Sequence, residues 1–199
     1  MNFEFSNDQL MLRDEAQKFL ANKCPIEEVH RVLNGDDAYS KPVWEAVVDM
    51  GWTATAMPEE FGGFGMGYLE LCVLAEEVGR ALAPVPFSSS VYLAAECLLL
   101  VGSEPQKAEW LPKIASGEVV ATLAVVDEGQ NGTSGTTCKN GRLSGSKIVV
   151  PDAELADVVL VIADDGGSKS LFIAATSANG LVTSPQATID PSRSYSKIE

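Results

Sequence analysis

Apolar and polar side chains in the first part of the chain recur with the period of an α-helix. In the segment SNDQLMLRDEAQKFLANKC, residues 6–24, Ser6 precedes Gln9 by three positions, as in a capping box, and apolar residues then follow on one face. Serine caps, terminating glycines or prolines, and the same periodicity predict further helices. These cover residues 40–51, 68–83, 88–102 and 103–118.

After residue 118 the period shortens towards two, which is typical of β-strands. Residues 119–129, VVATLAVVDEG, predict a buried strand. Asn140-Gly141 lies between two strand-like arms and is a strong hairpin signal, and the DDGGS segment at 164–168 predicts a second hairpin. Residues 180–185 and 195–199 predict further short strands.

The change of period predicts the fold class and the domain organisation. We expect an α+β protein in which an all-helical bundle, residues 1–118, is followed by a small antiparallel β-barrel or sandwich, residues 119–199. The final segment, YSKIE, is a strand pattern with no polar tail or breaker after it. We therefore expect the β domain to be truncated at its last strand and the chain to be a fragment of a longer one.

Charge and hydropathy exclude several classes of partner. The 199-residue chain carries a formal net charge of −14. Nucleic acids and anionic membrane surfaces both attract basic surface, so we expect neither as a partner. The longest apolar run, VVLVI at 158–162, is too short to span a bilayer, and the N-terminus lacks the pattern of a secretion signal. We expect a cytoplasmic location.

The residue types that build metal sites and nucleophilic relays are sparse. The single histidine, His30, lies in a charged helical segment, and no two of the four cysteines form a CxxC pair. We expect no metal site, idle thiols in a reducing compartment, and no Ser-His or Cys-His relay. The cysteines are Cys24, Cys72, Cys97 and Cys138.

A glycine-rich segment and several acidic pairs are candidate ligand positions. MPEEFGGFGMG, residues 57–67, follows a helix and lacks the Gly-Lys-Ser/Thr of a P-loop, so its glycines are expected to serve a tight turn. Adjacent carboxylates on a helix diverge by about 100° and are expected on solvated faces. These pairs are Glu59-Glu60, Glu76-Glu77 and Asp164-Asp165. The DEG triplet at 127–129, after a buried strand, is a plausible ligand position.

Four segments, taken in order, resemble the acyl-CoA dehydrogenase family. MPEEFGGFGMGYLELCVLAEEVGRALAP is similar to the family's PEEyGG-G loop and the EElgr helix after it. GSEPQKAEWLPKIASGEVVATLAV, LSGSKIVVPDAELADVVLVIA and TIDPSRSYSKIE are similar to successive segments that lead into and complete the middle domain. The resemblance covers essentially the whole chain and implies the N-terminal helical and middle β domains. It implies a structural role for Gly62, Gly63 and Gly65.

The resemblance implies an oxidoreductase that uses FAD to desaturate an acyl-CoA thioester between its α and β carbons, in fatty acid or sterol side-chain metabolism. In that family a glutamate removes the α proton, the flavin N5 accepts a hydride, and an electron-transfer flavoprotein takes the electrons. The glutamate belongs to a C-terminal helical domain that this sequence lacks. We therefore expect no catalytic residue in this chain, and we expect the chain alone to be inactive.

The resemblance also implies where FAD would bind. The family's Thr-Glu-Pro run is Val126-Asp127-Glu128 here, and its aromatic-Ile-Thr stretch is Val149-Val150-Pro151. In the strands the contacts would come from backbone N–H groups, which Pro151 lacks. A hydroxyl from the NGTSGT segment would replace the family's serine. The expected cofactor-binding residues are Val126, Asp127, Thr133, Ser134, Val149 and Val150.

The altered flavin positions leave a second hypothesis open. The chain could be a non-catalytic or half-site subunit of a heteromeric acyl-CoA dehydrogenase without its own flavin site. The first hypothesis predicts a homo-oligomer or hetero-oligomer with its own flavin, whereas the second requires a different partner chain. A third hypothesis, an unrelated helical and β binding module, requires the family resemblance to be coincidental.

Overall fold

The computed structural model describes residues 4–35, 37–129, 135–190 and 192–199, and its helices and strands follow the order that the periodicity predicts. The chain divides into two compact units. One comprises Met1–Val85 and Leu111–Gly117, and the other comprises Pro86–Trp110 and Glu118–Glu199. The α+β class is confirmed. The predicted domain boundary at residue 118 stays a prediction.

The first unit is helical. Its elements are α1 (Asn7–Lys23), α2 (Ile26–Asn34), α3 (Lys41–Asp49), two short 3-10 helices (Trp52–Ala54 and Glu59–Phe61), α4 (Tyr68–Arg80) and the end of α6 (Glu104–Ala115). The predicted capping box is present, because Ser6 Oγ accepts from Gln9 N at 3.2 Å and Ser6 N donates to Gln9 Oε1 at 2.9 Å. Ser40 Oγ likewise accepts from Val43 N and begins α3.

Helices α1 and α4 are joined by buried apolar and polar contacts. The ring of Phe19, on α1, also packs against Trp52 of the first 3-10 helix, with the ring centroids 5.1 Å apart. Glu77, on α4, is 1% exposed, and it accepts from Gln17 Nε2 at 2.9 Å and Arg80 Nε at 2.6 Å. The expectation that the Glu76-Glu77 pair is solvated was therefore wrong for Glu77. Its side chain faces α1, where two donors compensate the buried carboxylate.

The glycine-rich segment turns sharply between the second 3-10 helix and α4. Gly62 has a φ of 83° and Gly65 a φ of 61°, both in the left-handed region that favours glycine. A Cβ on Gly63 would lie 2.0 Å from the carbonyl oxygen of Met57, so no side chain fits there. Gly65 N donates to that same carbonyl oxygen at 2.8 Å. These contacts give the glycines a structural role.

The second unit contains all of the strands. Its helices are a π-helix (Ser88–Ala95), α5 (Glu96–Val101) and the beginning of α6, which Ser103 and Gln106 cap. Its strands are β1 (Ala121–Ala124), β2 (Thr137–Lys139), β3 (Arg142–Ser144), β4 (Lys147–Pro151), β5 (Val158–Asp165), β6 (Ser168–Ala175), β7 (Thr183–Pro185) and β8 (Tyr195–Ile198).

Both predicted hairpins are present. Strands β2 and β3 pair antiparallel, with Lys139 opposite Arg142, and Asn140 and Gly141 between them have φ values of 53° and 73°. Two consecutive left-handed residues are the requirement of a type I′ turn. Strands β5 and β6 also pair antiparallel, from Val158–Ala175 to Asp165–Ser168, around two left-handed glycines.

The strands form two small open sheets, and neither closes into a barrel. The first has the order β1-β5-β2-β3, with β6 also paired to β5, and the second has the order β4-β8-β7. The second sheet is antiparallel. In the first, β5 runs parallel to both β1 and β2, where the strand patterns predicted antiparallel pairing. The reason is that period-two alternation reports burial on one face and carries no information on strand direction.

A buried apolar cluster joins residues from both sheets within the second unit. Strands β1 and β5 contribute from the first sheet, and β4 and β8 from the second. Lys147 begins β4 beside this cluster and is itself buried. The cluster comprises Ala124, Val150, Ala153, Val159, Val161, Ala163 and Ile198, with Leu143, Phe172, Ala174 and Leu181 packed against it.

Candidate functional site

The predicted cofactor-binding residues that the structure describes lie where the chain leaves β1 and where it passes through β4. Beyond the end of β1, Val126 O accepts from Ile148 N at 2.9 Å, and Glu128 N donates to Ser146 O at 3.1 Å. Asp127 and Lys147 form an antiparallel bridge between these two contacts. The exit of β1, residues 125–128, is thus tied by its backbone to the start of β4.

Strand β4 contains an irregularity at Val149. The register between β4 and β8 shifts between Lys147 and Val150, and Val149 has a φ of 55°. A left-handed conformation is a genuine outlier for a β-branched residue, and such residues cluster at functional sites. Val149 N donates to Gln186 Oε1 at 2.7 Å, whereas the Val150 side chain is buried in the apolar cluster.

Three half-exposed valines lie at this irregularity or just beyond the end of β1. Val125, Val126 and Val149 are 52%, 51% and 51% exposed, and we call them the valine surface. Val126 and Val149 lie on adjacent backbone segments, since Ile148 N bonds to Val126 O. Their side chains carry no hydrogen-bonding group, so the valine surface offers apolar contact to a ligand and no polar recognition by side chains.

A buried ion pair contacts the backbone beside these valines. Lys147 Nζ is 2.9 Å from Asp127 Oδ1, and the two side chains are 3% and 9% exposed. Lys147 Nζ also donates to Val125 O at 2.9 Å. Asp127 Oδ1 in turn accepts from Thr136 N at 3.1 Å and Thr136 Oγ1 at 2.6 Å. The Asp127 carboxylate is therefore held by protein donors.

Sequence reasoning singled out Asp127 but not Lys147. The signal that could have found it is the position of the lysine, which opens the apolar strand pattern KIVVP. A lysine there must be either solvated or paired with a carboxylate, and Asp127 lies just beyond the preceding buried strand. Thr133 and Ser134, the other two predicted cofactor-binding residues, lie outside the described residues.

A second buried polar cluster, which sequence reasoning missed, links three segments of the second unit. Ser89 Oγ donates to Asp152 Oδ2 at 2.7 Å, and Ser194 Oγ donates to Asp152 Oδ1 at 3.1 Å. Asp152 follows β4 with a φ of 51° and is 6% exposed. Burial raises the pKa of this carboxyl, and the two serine hydrogen bonds lower it by less. The cluster contributes to the packing of the unit.

The remaining candidate groups form no site in the described part of the chain. The four cysteines are free thiols, and His30 is exposed on α2. No group of three metal-ligating side chains occurs among the residues that the structure describes. Within those same ranges, every helix is too short or too polar to cross a membrane.

Comparison with known proteins decides the family. The family model for the acyl-CoA dehydrogenase N-terminal domain matches residues 6–118. The chain belongs to the acyl-CoA dehydrogenase family. Among curated members of this family, FadE28 of Mycobacterium tuberculosis is 40% identical over 124 residues, which are 61% of this chain and 36% of FadE28. The chain spans between 22% and 52% of the length of four curated relatives that it matches.

Solved structures match this chain over nearly its whole length. A chain of the ChsE4–ChsE5 complex from Mycobacterium tuberculosis has a TM-score of 0.88 and 26% identity, with 100% of this chain and 55% of that chain covered. An acyl-CoA dehydrogenase complexed with FAD from Bacillus anthracis has a TM-score of 0.84 and 25% identity, with 98% of this chain and 36% of that chain covered.

The fit of a flavin to this site can be tested on the described residues. The valine surface could contact the face of a flat ring. At the polar edge of the ring, however, Val126 supplies no hydroxyl, the Asp127 carboxylate is bound to Lys147 and Thr136, and Val149 N is bound to Gln186. The valine side chains therefore offer apolar contact to the face of a flavin, and one of the expected N–H donors, Val149 N, already has an acceptor. The six cofactor-binding residues stay a prediction.

Proposed function

We propose that the chain is the N-terminal and middle part of an FAD-dependent acyl-CoA dehydrogenase, which desaturates an acyl-CoA thioester between its α and β carbons. The observation that carries this proposal is that family membership and a strained, half-exposed valine surface coincide in one chain. The surface lies where the family resemblance implies contact with FAD. Strain of this kind persists only when the surrounding structure holds it in place.

In this proposal the chain binds and orients, and the flavin, when bound, supplies the hydride acceptor. The valine surface would contact the flat ring and exclude water from it. No residue of this chain is proposed as the base that removes the α proton. An acyl-CoA substrate, an electron-transfer flavoprotein as electron acceptor, an oligomeric state and a cytoplasmic location belong to the same proposal.

The visible absorption spectrum of the intact protein as isolated tests this proposal. Flavin bands that remain with the protein through gel filtration, together with reduction of the flavin by an acyl-CoA, are the expected result. A protein that is colourless, and stays so after incubation with FAD, contradicts the proposal. A panel of short-chain, long-chain and sterol-derived acyl-CoA thioesters then defines the substrate class by the rate of flavin bleaching.

A second candidate function is favoured by the polar edge of the site. Because Val126 replaces a hydroxyl and Val149 N is bound to Gln186, the chain is also suited to a half-site subunit that shapes a substrate pocket without holding its own flavin. The ChsE4–ChsE5 complex, to which this chain is similar, is an assembly of two named components. This candidate requires a different acyl-CoA dehydrogenase chain as partner.

The ratio of flavin to protein chains distinguishes the two candidates. The intact protein is purified alone and after co-expression with acyl-CoA dehydrogenase chains encoded beside it. One flavin for each copy of this chain supports the first candidate. Flavin that appears only with a partner, at one for each pair of chains, supports the second. Val126→Thr sharpens the test, because it restores a hydroxyl at the ring edge, and Val125→Thr is its matched control.

A further inference from the structure

One buried ion pair, Asp127 with Lys147, holds the exit of β1 in place, and both of its side chains form further hydrogen bonds. Lys147 Nζ is bonded to both Val125 O and Asp127 Oδ1, at 2.9 Å each. The ammonium group therefore connects the first residue after β1 with the residue that bridges to β4. Because both side chains are almost completely buried, water cannot readily replace either bond.

The carboxylate of the pair also binds Thr136. Asp127 Oδ1 accepts from both the backbone N and the hydroxyl of Thr136, which lies just before β2. Gly145 packs against the same point, because a Cβ there would lie 2.6 Å from the Cα of Thr136. Residues 127 and 136 are thus held together by a single carboxylate oxygen.

The residues of the valine surface are near neighbours of Asp127 and Lys147 in the sequence. Val125 and Val126 are the two residues before Asp127, and Val149 is the second residue after Lys147. Three backbone N–H groups next to these residues form hydrogen bonds, so their hydrogen exchange measures how firmly the region is held. They are Glu128 N, Thr136 N and Ile148 N, which donate to Ser146 O, Asp127 Oδ1 and Val126 O.

We propose that Asp127 and Lys147 are positioning residues: their buried ion pair holds the exit of β1 against β4 and so sets the backbone conformation of the valine surface. They act on a ligand only through that backbone, and neither side chain touches the ligand. The ligand class, a flat aromatic cofactor, rests on the proposed function. The positioning role itself does not, because it is measured in the protein without any ligand.

The test compares four variants of the intact protein by amide hydrogen exchange and thermal unfolding. Asp127→Asn and Lys147→Met each leave a buried group unpaired and lower the melting temperature. The double variant Asp127→Asn/Lys147→Met removes both charges, and its melting temperature returns towards that of the parent. Glu77→Gln is the control, because it removes a buried carboxylate from the other unit.

In the double variant we expect exchange at Glu128, Thr136 and Ile148 to rise about tenfold or more, with the β5–β6 amides unchanged. A merely structural role predicts instead that exchange recovers together with the melting temperature, and that outcome overturns the proposal. In Glu77→Gln these three amides are expected to follow global stability. Asp127→Glu keeps the charge and is expected to retain parental protection, so equal protection in Asp127→Glu, Asp127→Asn and the parent also overturns the proposal.

Addition of FAD separates this inference from the proposed function. If the parent binds FAD, the double variant is expected to bind it about tenfold or more weakly, whereas Glu77→Gln binds it as the parent does. Rapid exchange with unchanged FAD affinity overturns the link between the pair and the ligand. If the parent binds no FAD, the first candidate function fails, and the exchange data still decide whether the pair positions the backbone.

Discussion

Each of the two compact units contains a carboxylate that is buried in an ion pair, and the two pairs differ in their access to water. Glu77 is bound by Arg80, three residues later in the same helix, and the arginine side chain is 54% exposed. Asp127 lies beyond the end of β1 and is bound by Lys147 of β4, whose side chain is 3% exposed. The first pair therefore keeps one charge in water, whereas the second removes both charges from it.

The two pairs are therefore expected to contribute differently to the free energy of unfolding. A partly exposed pair gains little, because water solvates the separated charges nearly as well. A buried pair is expensive to form and more expensive to break, because the remaining charge has no solvent. Loss of Arg80, whose side chain is half-exposed, lets water reach the Glu77 carboxylate, which Gln17 also binds, whereas loss of Lys147 leaves Asp127 in a site that is closed to water.

The largest effect is expected for Lys147→Met compared with Arg80→Met. Lys147→Met leaves Asp127 buried without its cation and is expected to lower the free energy of unfolding by about 3–5 kcal/mol. Arg80→Met leaves Glu77 bound by Gln17 and within reach of water, and it is expected to lower the free energy of unfolding by about 1–2 kcal/mol. Urea unfolding followed by circular dichroism measures both. Equal losses would show that burial does not separate the two pairs.

A smaller loss is expected for Glu77→Gln. The amide keeps the shape of the side chain but loses the charge that Gln17 and Arg80 bind, so we expect a loss of about 1–2 kcal/mol. Glu76→Gln is the matched control at the exposed neighbour and is expected to change stability by less than about 0.5 kcal/mol. Chemical denaturation of the two variants checks this, and a result in which they agree would contradict the burial argument.

Asp152→Asn tests a buried carboxylate whose pKa is raised by burial and lowered by smaller contributions from Ser89, Ser194 and the charge of Arg193. Because burial raises its pKa above the ordinary 3.8, the folded state binds the proton more tightly than the unfolded chain does. The stability of the parent therefore falls as the pH rises from 3.8 through the raised pKa. The amide cannot ionise, and it can donate to Ser89 Oγ, which itself donates to Pro86 O at 3.0 Å.

We therefore expect Asp152→Asn to be more stable than the parent at neutral pH, by about 1 kcal/mol, and to lack this fall. Melting temperatures measured between pH 4 and pH 8 for the two proteins provide the comparison. Ser194→Ala is the control, because it removes one hydrogen bond and leaves the carboxyl in place. If the stability of Asp152→Asn depends on pH as that of the parent does, ionisation of Asp152 does not cause the fall.

The smallest effect is expected at Glu28, which lies near the surface of the helical unit. Hydrogen bonds from Arg31 and then Ser40 lower the pKa of Glu28 from 4.5 to about 2. Its contribution to stability is present above pH 4.5 and is lost as the pH falls through about 2. Glu28→Gln is expected to cost less than about 1 kcal/mol at neutral pH, since the site is partly exposed.

Salt distinguishes this network from the buried pair. We expect 1 M salt to reduce the cost of Glu28→Gln and to leave the cost of Lys147→Met nearly unchanged, because only exposed charges are screened. Thermal unfolding at low and high salt measures both differences. If salt weakens both costs equally, Lys147 and Asp127 are not buried in solution.

Much of the fold was predictable from the sequence because its signals are local. Ser6 and Gln9 cap α1 from three residues apart, and Asn140-Gly141 closes a hairpin whose strands are its immediate neighbours. Such patterns act through hydrogen bonds and backbone conformations within a few residues. The helical first part, the strands after it and the family itself followed from such local patterns and from their order.

Only the tertiary structure decided the remaining features, because they depend on residues far apart in the chain. Gln17 and Glu77 are 60 residues apart, and Ser89 and Asp152 are 63 apart. The parallel pairing of β1 and β5, and the pairing of Lys147 with Asp127, likewise join segments whose approach no local pattern encodes. A residue's own sequence neighbours determine its backbone preference, but whether its charge meets water or a counter-ion is determined by the segments that pack against it.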